Sequence, residues 1–438
     1  MSEGLLSWGA YPRLPQRAHD VDWRDELPDV LVSAAKARGT TLAYGEGRSY
    51  GDSCLADSGH VLTLRALDHF LFADWSNGIL RAEAGVTLES ILAAVIPHGW
   101  FLPVTPGTKY VSLGGAIAND VHGKNHHRRG TFGRHVRRLG LLRSDRGRVV
   151  ASPETEPELF AATVGGLGLT GIIEWAEIQL SPIRSSQIDG ISVRFGDLDE
   201  FFALSEELDA QHEFCVSWVD CVARGKKTGR GVYMAGNFAA DGRRAVENRR
   251  RLTFPFTPPV SLVNACSLRA FNTLYWRKAS SGRRRARMAY EPFFYPLDTL
   301  LKWNRIYGTG GFQQYQALIP ESEARAGIHA LLAAIAQSGV GSFLAVLKRC
   351  GDIASPGLLS FPRAGVTLAL DFPQTRHLEP RLFSRLDAIV RAAGGRLYPA
   401  KDAHMRGEDF RRAYPLWEKI EALRDPLLLS RFWRRVNR

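Results

Sequence analysis

Cysteine is scarce, with five in 438 residues. Cys54, Cys215, Cys221, Cys266 and Cys350 are an odd number, widely spaced, with no Cys-x-x-Cys pair. That argues against a disulfide framework and a zinc cluster and fits a reducing compartment. Long apolar runs are missing as well. Residues 1–24 mix Glu3, Pro12, Pro15 and Asp20 into their apolar positions and offer no signal-peptide core. The longest charge-free stretch, Ala326 to Leu347, is broken by Gln337, Ser338, Gly339, Gly341 and Ser342. It reads as a helix ending near Gln337, with Ile328, Leu331, Leu332 and Ile335 on one face, then a buried strand Phe343 to Leu347, and not as a membrane span. Acid is in deficit: 45 acidic against 57 basic side chains, a net charge of +12. Such a chain favours anionic partners: nucleic acid, a phosphate-bearing substrate or cofactor, or an acidic membrane face.

The length exceeds the roughly 250–300 residues at which one core stops growing, which predicts two domains. Up to about residue 180 the chain shows short β-like stretches punctuated by glycine: Thr41 to Tyr44, Val61 to Leu64, Gly78 to Ala82 and Gly171 to Leu180. A few helices interrupt them, such as Thr87 to Ile96 and Glu156 to Ala162. From about Gln187 strands at Gly190 to Phe195, Phe214 to Val222, Val232 to Asn237, Gly311 to Leu318 and Val366 to Phe372 alternate with helices at Leu198 to Leu208, Glu321 to Gln337 and Pro380 to Ala392. This predicts an α+β domain whose sheet carries helices on one face.

The chemistry-bearing residues fall in glycine-rich loops. Tyr44-Gly45-Glu46-Gly47-Arg48-Ser49-Tyr50-Gly51-Asp52 follows a short strand, and its glycines let successive backbone N–H groups converge on a pyrophosphate, with Arg48 placed to add a charged donor. Pro106-Gly107-Thr108 leads to Gly114-Gly115-Ala116-Ile117-Ala118-Asn119, where small side chains admit a flat ligand, and on to His122, Gly123, Lys124 and Asn125. His122 and His126 stand four apart, but Gly123 weakens a helix between them and no cysteine is near in sequence, so no metal is assigned. Gly166-Leu167-Gly168-Leu169-Thr170-Gly171 contains a formal G-x-G-x-x-G. A dinucleotide fingerprint follows a strand and opens a helix, whereas here a helix precedes and a strand follows, which rules out the Rossmann reading.

These loops, in this order, resemble the FAD-binding domain of the vanillyl-alcohol oxidase superfamily, the PCMH-type fold. The strings GRSYGD, GGAIA, HGKNHH, GLTGII, WNR, QYQ, LSFP, DFP, GGRLY and AKD continue the resemblance to about Pro426, in the order found in the decaprenylphosphoryl-ribose 2′-oxidases. The resemblance implies an α+β protein of two domains: a PCMH-type FAD-binding domain at 1–182, a substrate domain on an antiparallel sheet at 183–395, and a segment 396–438 returning to the first. It assigns Gly45, Gly47, Arg48, Ser49 and Tyr50 to the FAD pyrophosphate, and Gly107, Thr108, Gly114, Gly115, Ala116, Asn119, His122, Gly123, Gly168, Thr170, Gly171, Ile172 and Tyr398 to the rest of the cofactor path. Many superfamily members attach FAD through a histidine where this chain has Arg48, so FAD is expected to be non-covalent. Trp218, Gln314, Gln316, Lys348 and Lys124 are implied on the substrate side. Gln314 and Gln316, two apart on a strand, point the same way toward sugar hydroxyls. Lys401 and His122 are the candidate bases. A cysteine that the family carries two residues before Asp-Phe-Pro is Ala369 here.

The implied activity is FAD-dependent oxidation of a secondary sugar hydroxyl, on a phosphorylated or polyprenyl-phosphate-linked pentose, with a short-chain reductase completing an epimerisation. An aldonolactone or alditol oxidase acting on free sugars with oxygen is the alternative. A nucleic-acid-binding protein comes third, because it leaves the glycine loops without a role. Arginines at 243, 244 and 249–251, and again at 277–287, bracket Leu252 to Trp276, an apolar stretch with Pro255, Pro258 and Pro259. That segment reads either as a solvated linker or as a lid touching acidic lipid, which makes the expected location cytoplasmic with peripheral contact at the inner membrane face.

Overall fold

The computed structural model describes residues 4–36, 39–246, 251–279 and 282–438; Glu3, Arg249 and Arg250 of the sequence reading lie outside them. The N-terminal half is built on two larger sheets, beside a two-stranded one that pairs Trp100–Phe101 with Ser181–Pro182. Arg17–Asp20, His60–Thr63 and Leu42–Tyr44 form a parallel sheet with His60–Thr63 at its centre. Phe70–Asp74, Ile79–Glu83, Ile172–Gln179, Val136–Arg143 and Gly147–Ala151 form, in that order, an antiparallel sheet. The last two strands escape a sequence reading because arginines interrupt their apolar alternation. Arg138 is met across the ladder by Glu177 at 3.1 Å, Arg148 by Glu174 from two strands away at 3.1 Å, and Arg143 by Asp145 at 2.8 Å in the turn that follows. Helices Leu88–Val95 and Leu113–Ala118 start where Thr87 and Ser112 accept the N–H groups of Ser90 and Gly115. Gly114 lies inside the second helix because a Cβ there would meet the Ala84 Cβ at 2.9 Å. Its lack of a side chain thus serves the packing of helix on strand.

The second half is one eight-stranded sheet in the order Arg284–Ala289, Gln187–Phe195, Gly231–Phe238, Phe214–Val219, Ala345–Cys350, Gly365–Pro373, Phe312–Pro320, Arg396–Leu397, antiparallel throughout. Helices Leu198–Gln211, Ala324–Ser338 and Ser384–Ala392 cover one face through Phe201, Leu331 and Leu386, meeting Tyr315, Leu347 and Leu368 of the strands. Because side chains alternate along a strand, Gln314, Gln316, Lys348 and Thr367 project from the other face. The prolines of the 252–276 segment all precede Asn264, whose side chain caps a helix at Ala265–Lys278. The expected irregular stretch is therefore half helical, since nothing after Asn264 opposes helix formation. Among the described residues no helix is long and apolar enough to cross a membrane.

Among the contacts that join the halves, two are built on buried carboxylates and the returning C-terminal chain. The buried Asp120 carboxylate accepts the Gly133 N–H at 2.8 Å and the hydroxyls of Ser355 and Ser360 at 2.5 Å each. The C-terminal chain crosses back, Leu428 bridging to Thr41 and Ser430 to Ala56, and ends in the helix Arg431–Val436. From that helix Arg435 reaches Asp52 and Asp402, each at 2.8 Å. Both carboxylates are buried. Arg435→Ala strands two buried charges, so it should lower unfolding stability by about 3–5 kcal/mol in a denaturant titration, against a change under about 1 kcal/mol for the exposed Arg406→Ala.

Candidate active site

A cavity of about 550 Å³ lies between the glycine-rich loops and the uncovered face of the large sheet. That is within the roughly 300–1,000 Å³ usual for ligand sites. One wall is the loop 44–51, whose turn needs Gly47 at φ +61°, with the Tyr44 hydroxyl occupying the space of a side chain there. Arg48 is clasped between Trp8 and Tyr110, its guanidinium 4.1 and 5.3 Å from the ring centroids. Its Nε and the Ser53 Oγ are buried and have no hydrogen-bond partner, and both residues line the cavity. Gly107 and Gly168 also line it, and a Cβ on either would meet no atom within 4 Å.

The opposite wall carries the polar side chains. Lys348 Nζ donates to His122 Nδ1 and to the Gly123 carbonyl, both at 2.6 Å, while the Gln316 amide nitrogen lies 3.3 Å from His122 Nε2. Burial, followed by Lys348, His126 and Lys401, holds His122 well below the ordinary histidine range, so it is a neutral imidazole. Lys124 donates to the Phe293 carbonyl and lies over the Phe293 ring. Burial and then Lys348 push its amine down to about 7. Trp218 donates through Nε1 to the Phe343 carbonyl at 2.9 Å, and Tyr398 through its hydroxyl to the Asn119 carbonyl at 2.8 Å.

Lys401 arrives from the short turn Pro399–Lys401. The turn presses on the first glycine loop: Tyr50 N–H donates to the Ala400 carbonyl at 3.0 Å, and a Cβ on Gly51 would stand 1.7 Å from the Asp402 carbonyl oxygen. Lys401 Nζ sits 3.6 Å from the centre of the Tyr50 ring. Asp371, fully buried, accepts from the Gln314 amide at 2.6 Å through Oδ1, while its Oδ2 has no partner. Burial lowers the Lys401 pKa against the pull of Asp371, and burial raises that of Asp371 against Gln314 and Lys401.

All but three of the residues expected at the site line this cavity. Ala116 and Ile172 are packed into the apolar cores behind it, and Thr170 bonds Thr163 at 2.8 Å beneath the third loop. Trp8, Ser53, Asp371, Phe271 and Tyr275 were missed. Asp371 alone had a local signal, its two-residue spacing from Ala369 and Thr367 on one strand. His122 and His126 stand edge to face with ring centres 6.5 Å apart. The one described group with metal-ligand spacing is different: His127, Asp209 and Cys215, whose ligand atoms lie within 4.8 Å of one another.

A family model described as FAD binding domain matches residues 20–152. Over 96% of its length the chain is 35% identical to the decaprenylphosphoryl-beta-D-ribose oxidase of Mycolicibacterium smegmatis, covering 94% of that protein. The chain belongs to the decaprenylphosphoryl-beta-D-ribose oxidase family. It is an FAD-dependent oxidoreductase. An uncharacterized Streptomyces coelicolor protein is 34% identical over 77% of this chain and 95% of its own. A Neurospora crassa protein named for D-arabinono-1,4-lactone oxidation is 24% identical, over 48% of this chain and 37% of its own. The residues present fit FAD: loop glycines open onto the cavity, and Arg48 Nε and Ser53 Oγ await a polar partner. Gly107→Leu, a side chain projecting into open space, should leave the apoprotein's melting temperature within about 2 °C of wild type and weaken FAD binding at least about tenfold in a flavin-fluorescence titration.

Proposed function

We propose that the protein oxidises a secondary hydroxyl of a pentose carried on a polyprenyl phosphate, forming a keto sugar. The carrying observation is the convergence of Lys401, Gln314 and Gln316 on the cavity that the glycine loops line. FAD, held without a covalent bond by residues 45–50, Gly107, Thr108, Gly114, Gly115, Asn119, Gly123, Gly168 and Gly171, supplies the hydride acceptor at N5. As the carbinol C–H leaves as hydride, the hydroxyl proton passes to Lys401, whose lowered pKa leaves a neutral amine available. Gln314 and Gln316 hold the neighbouring hydroxyls. His122, fixed by Lys348, orients the ring system and is less suited to accept the proton, because its Nδ1 is already engaged. Lys124 and Lys348 give the cavity charge for the substrate phosphate. Trp218 walls the sugar pocket, and Ala369, paired with Gln316 and Val346 on the sheet, gives it a side chain that thiol reagents cannot modify.

The similarity to the mycobacterial oxidase supports the lipid-linked pentose over a free sugar, since it spans nearly the whole chain whereas the lactone-oxidase likeness covers less than half. A reductase acting on the keto product would complete an epimerisation. Peripheral contact with an acidic membrane would deliver such a substrate.

Lys401→Ala should remain yellow yet reduce its flavin about 10²–10⁴-fold more slowly on anaerobic mixing with a polyprenylphosphoryl pentose; unchanged reduction would remove Lys401 from the mechanism. The wild-type rate should rise with pH as the amine deprotonates and level off well below the pH at which an ordinary lysine loses its proton. A rate that falls with rising pH would instead assign Lys401 the role of a fixed cation. Acid precipitation should release all the flavin into solution, whereas flavin retained in the pellet would show a covalent link.

A further inference from the structure

The cavity mouth is framed by an apolar collar that the chemistry above leaves without a role. Helix Ala265–Lys278 buries only Leu268 and Asn272. The flank carrying Phe271 and Tyr275 faces the cavity, and Leu274, farther round, is 68% exposed. Before this helix the chain 252–262 runs beside 299–306, with Leu252, Phe254 and Leu262 donating to the carbonyls of Thr299, Leu301 and Ile306. Phe256 and Val260 from that strip are 62% and 69% exposed. Monomeric soluble proteins seldom gather so many large exposed apolar side chains in one place without a partner.

The charge around the collar identifies the partner. From residue 248 to 290 the sequence holds ten arginines and lysines and no aspartate or glutamate, although Arg251, Arg283 and Arg287 are paired with Glu89, Glu207 and Asp189 from other segments. Arg277 and Lys278 stand exposed at the end of the same helix, one turn from Leu274. Apolar side chains that enter an interface, beside the exposed Arg277 and Lys278 on the same helix, suit an anionic lipid headgroup layer. A second copy of this chain would bring like charge against like charge.

We propose that helix Ala265–Lys278 and the strip 252–262 form a docking surface for an anionic bilayer, which sets the mouth of the cavity at the headgroups. The surface extends the lipid-linked reading of the substrate but is tested apart from it. Full-length FAD-loaded protein would be sedimented with vesicles of phosphatidylglycerol and phosphatidylcholine, and with phosphatidylcholine alone, in low and high salt. Binding should require phosphatidylglycerol and weaken at least about tenfold in 0.5 M salt, where the Debye length is a few ångströms. Phe256→Glu with Leu274→Glu should cut binding at least about tenfold, as should Arg277→Glu with Lys278→Glu, each judged folded by its flavin spectrum and melting temperature. Neither pair lines the cavity, so oxidation of a short-chain, freely diffusing substrate analogue should be unchanged. Equal binding to both vesicle types, full binding by both variants, or self-association without vesicle binding would each overturn the docking surface. Failure to oxidise any lipid-linked pentose, with vesicle binding intact, would overturn the substrate reading alone.

Discussion

The close approach of the turn 399–402 to the first glycine-rich loop is the constraint on which the site depends. A glycine at 51 leaves room for the Asp402 carbonyl, and the Tyr50 amide is spent on Ala400. Arg435 closes the arrangement by neutralising Asp52 on the loop side and Asp402 on the turn side. One guanidinium thereby fixes how far the C-terminal chain lies from the cofactor loop, and with it the position of Lys401 over Tyr50. Positioning of this kind matters because a displacement of about 1 Å at a reacting group can cost on the order of 10²-fold in rate.

Charge in the cavity is arranged on the same logic. Arg48, Lys124, Lys348 and Lys401 all line it, and burial is the leading reason that each lies below its ordinary pKa. A cavity whose cations are partly desolvated gains most from an anionic ligand, which restores the charged forms that burial disfavours. A cofactor pyrophosphate and a substrate phosphate both meet that description. Part of the excess of basic residues is thus a buried set that faces the cavity.

What could be read from the sequence was local. The glycine loops declared themselves because backbone freedom is a property of single residues. Gln314 and Gln316 were legible as a pair because strand alternation is a two-residue rule. The clasp of Arg48 by Trp8 and Tyr110 was not, since each ring comes from a separate part of the chain and neither lies in a recognisable pattern. The strands Val136–Arg143 and Gly147–Ala151 were hidden by arginines such as Arg138 and Arg148, whose acidic partners lie on the strand Ile172–Gln179, distant in sequence. The helix Ala265–Lys278 was hidden differently: three prolines coloured the whole segment, although all of them lie before its capping asparagine.

That a flavin site and a lipid-linked pentose share one cavity is what we propose. Its most direct test is anaerobic mixing of the FAD-loaded wild-type protein with a polyprenylphosphoryl pentose, and separately with free polyols and aldonolactones, while flavin absorbance is followed and the product analysed. Stoichiometric bleaching is expected with the lipid-linked sugar alone, together with a product two mass units lighter, a ketone at the former carbinol. Bleaching by the free sugars, with none by the lipid-linked pentose, would contradict it.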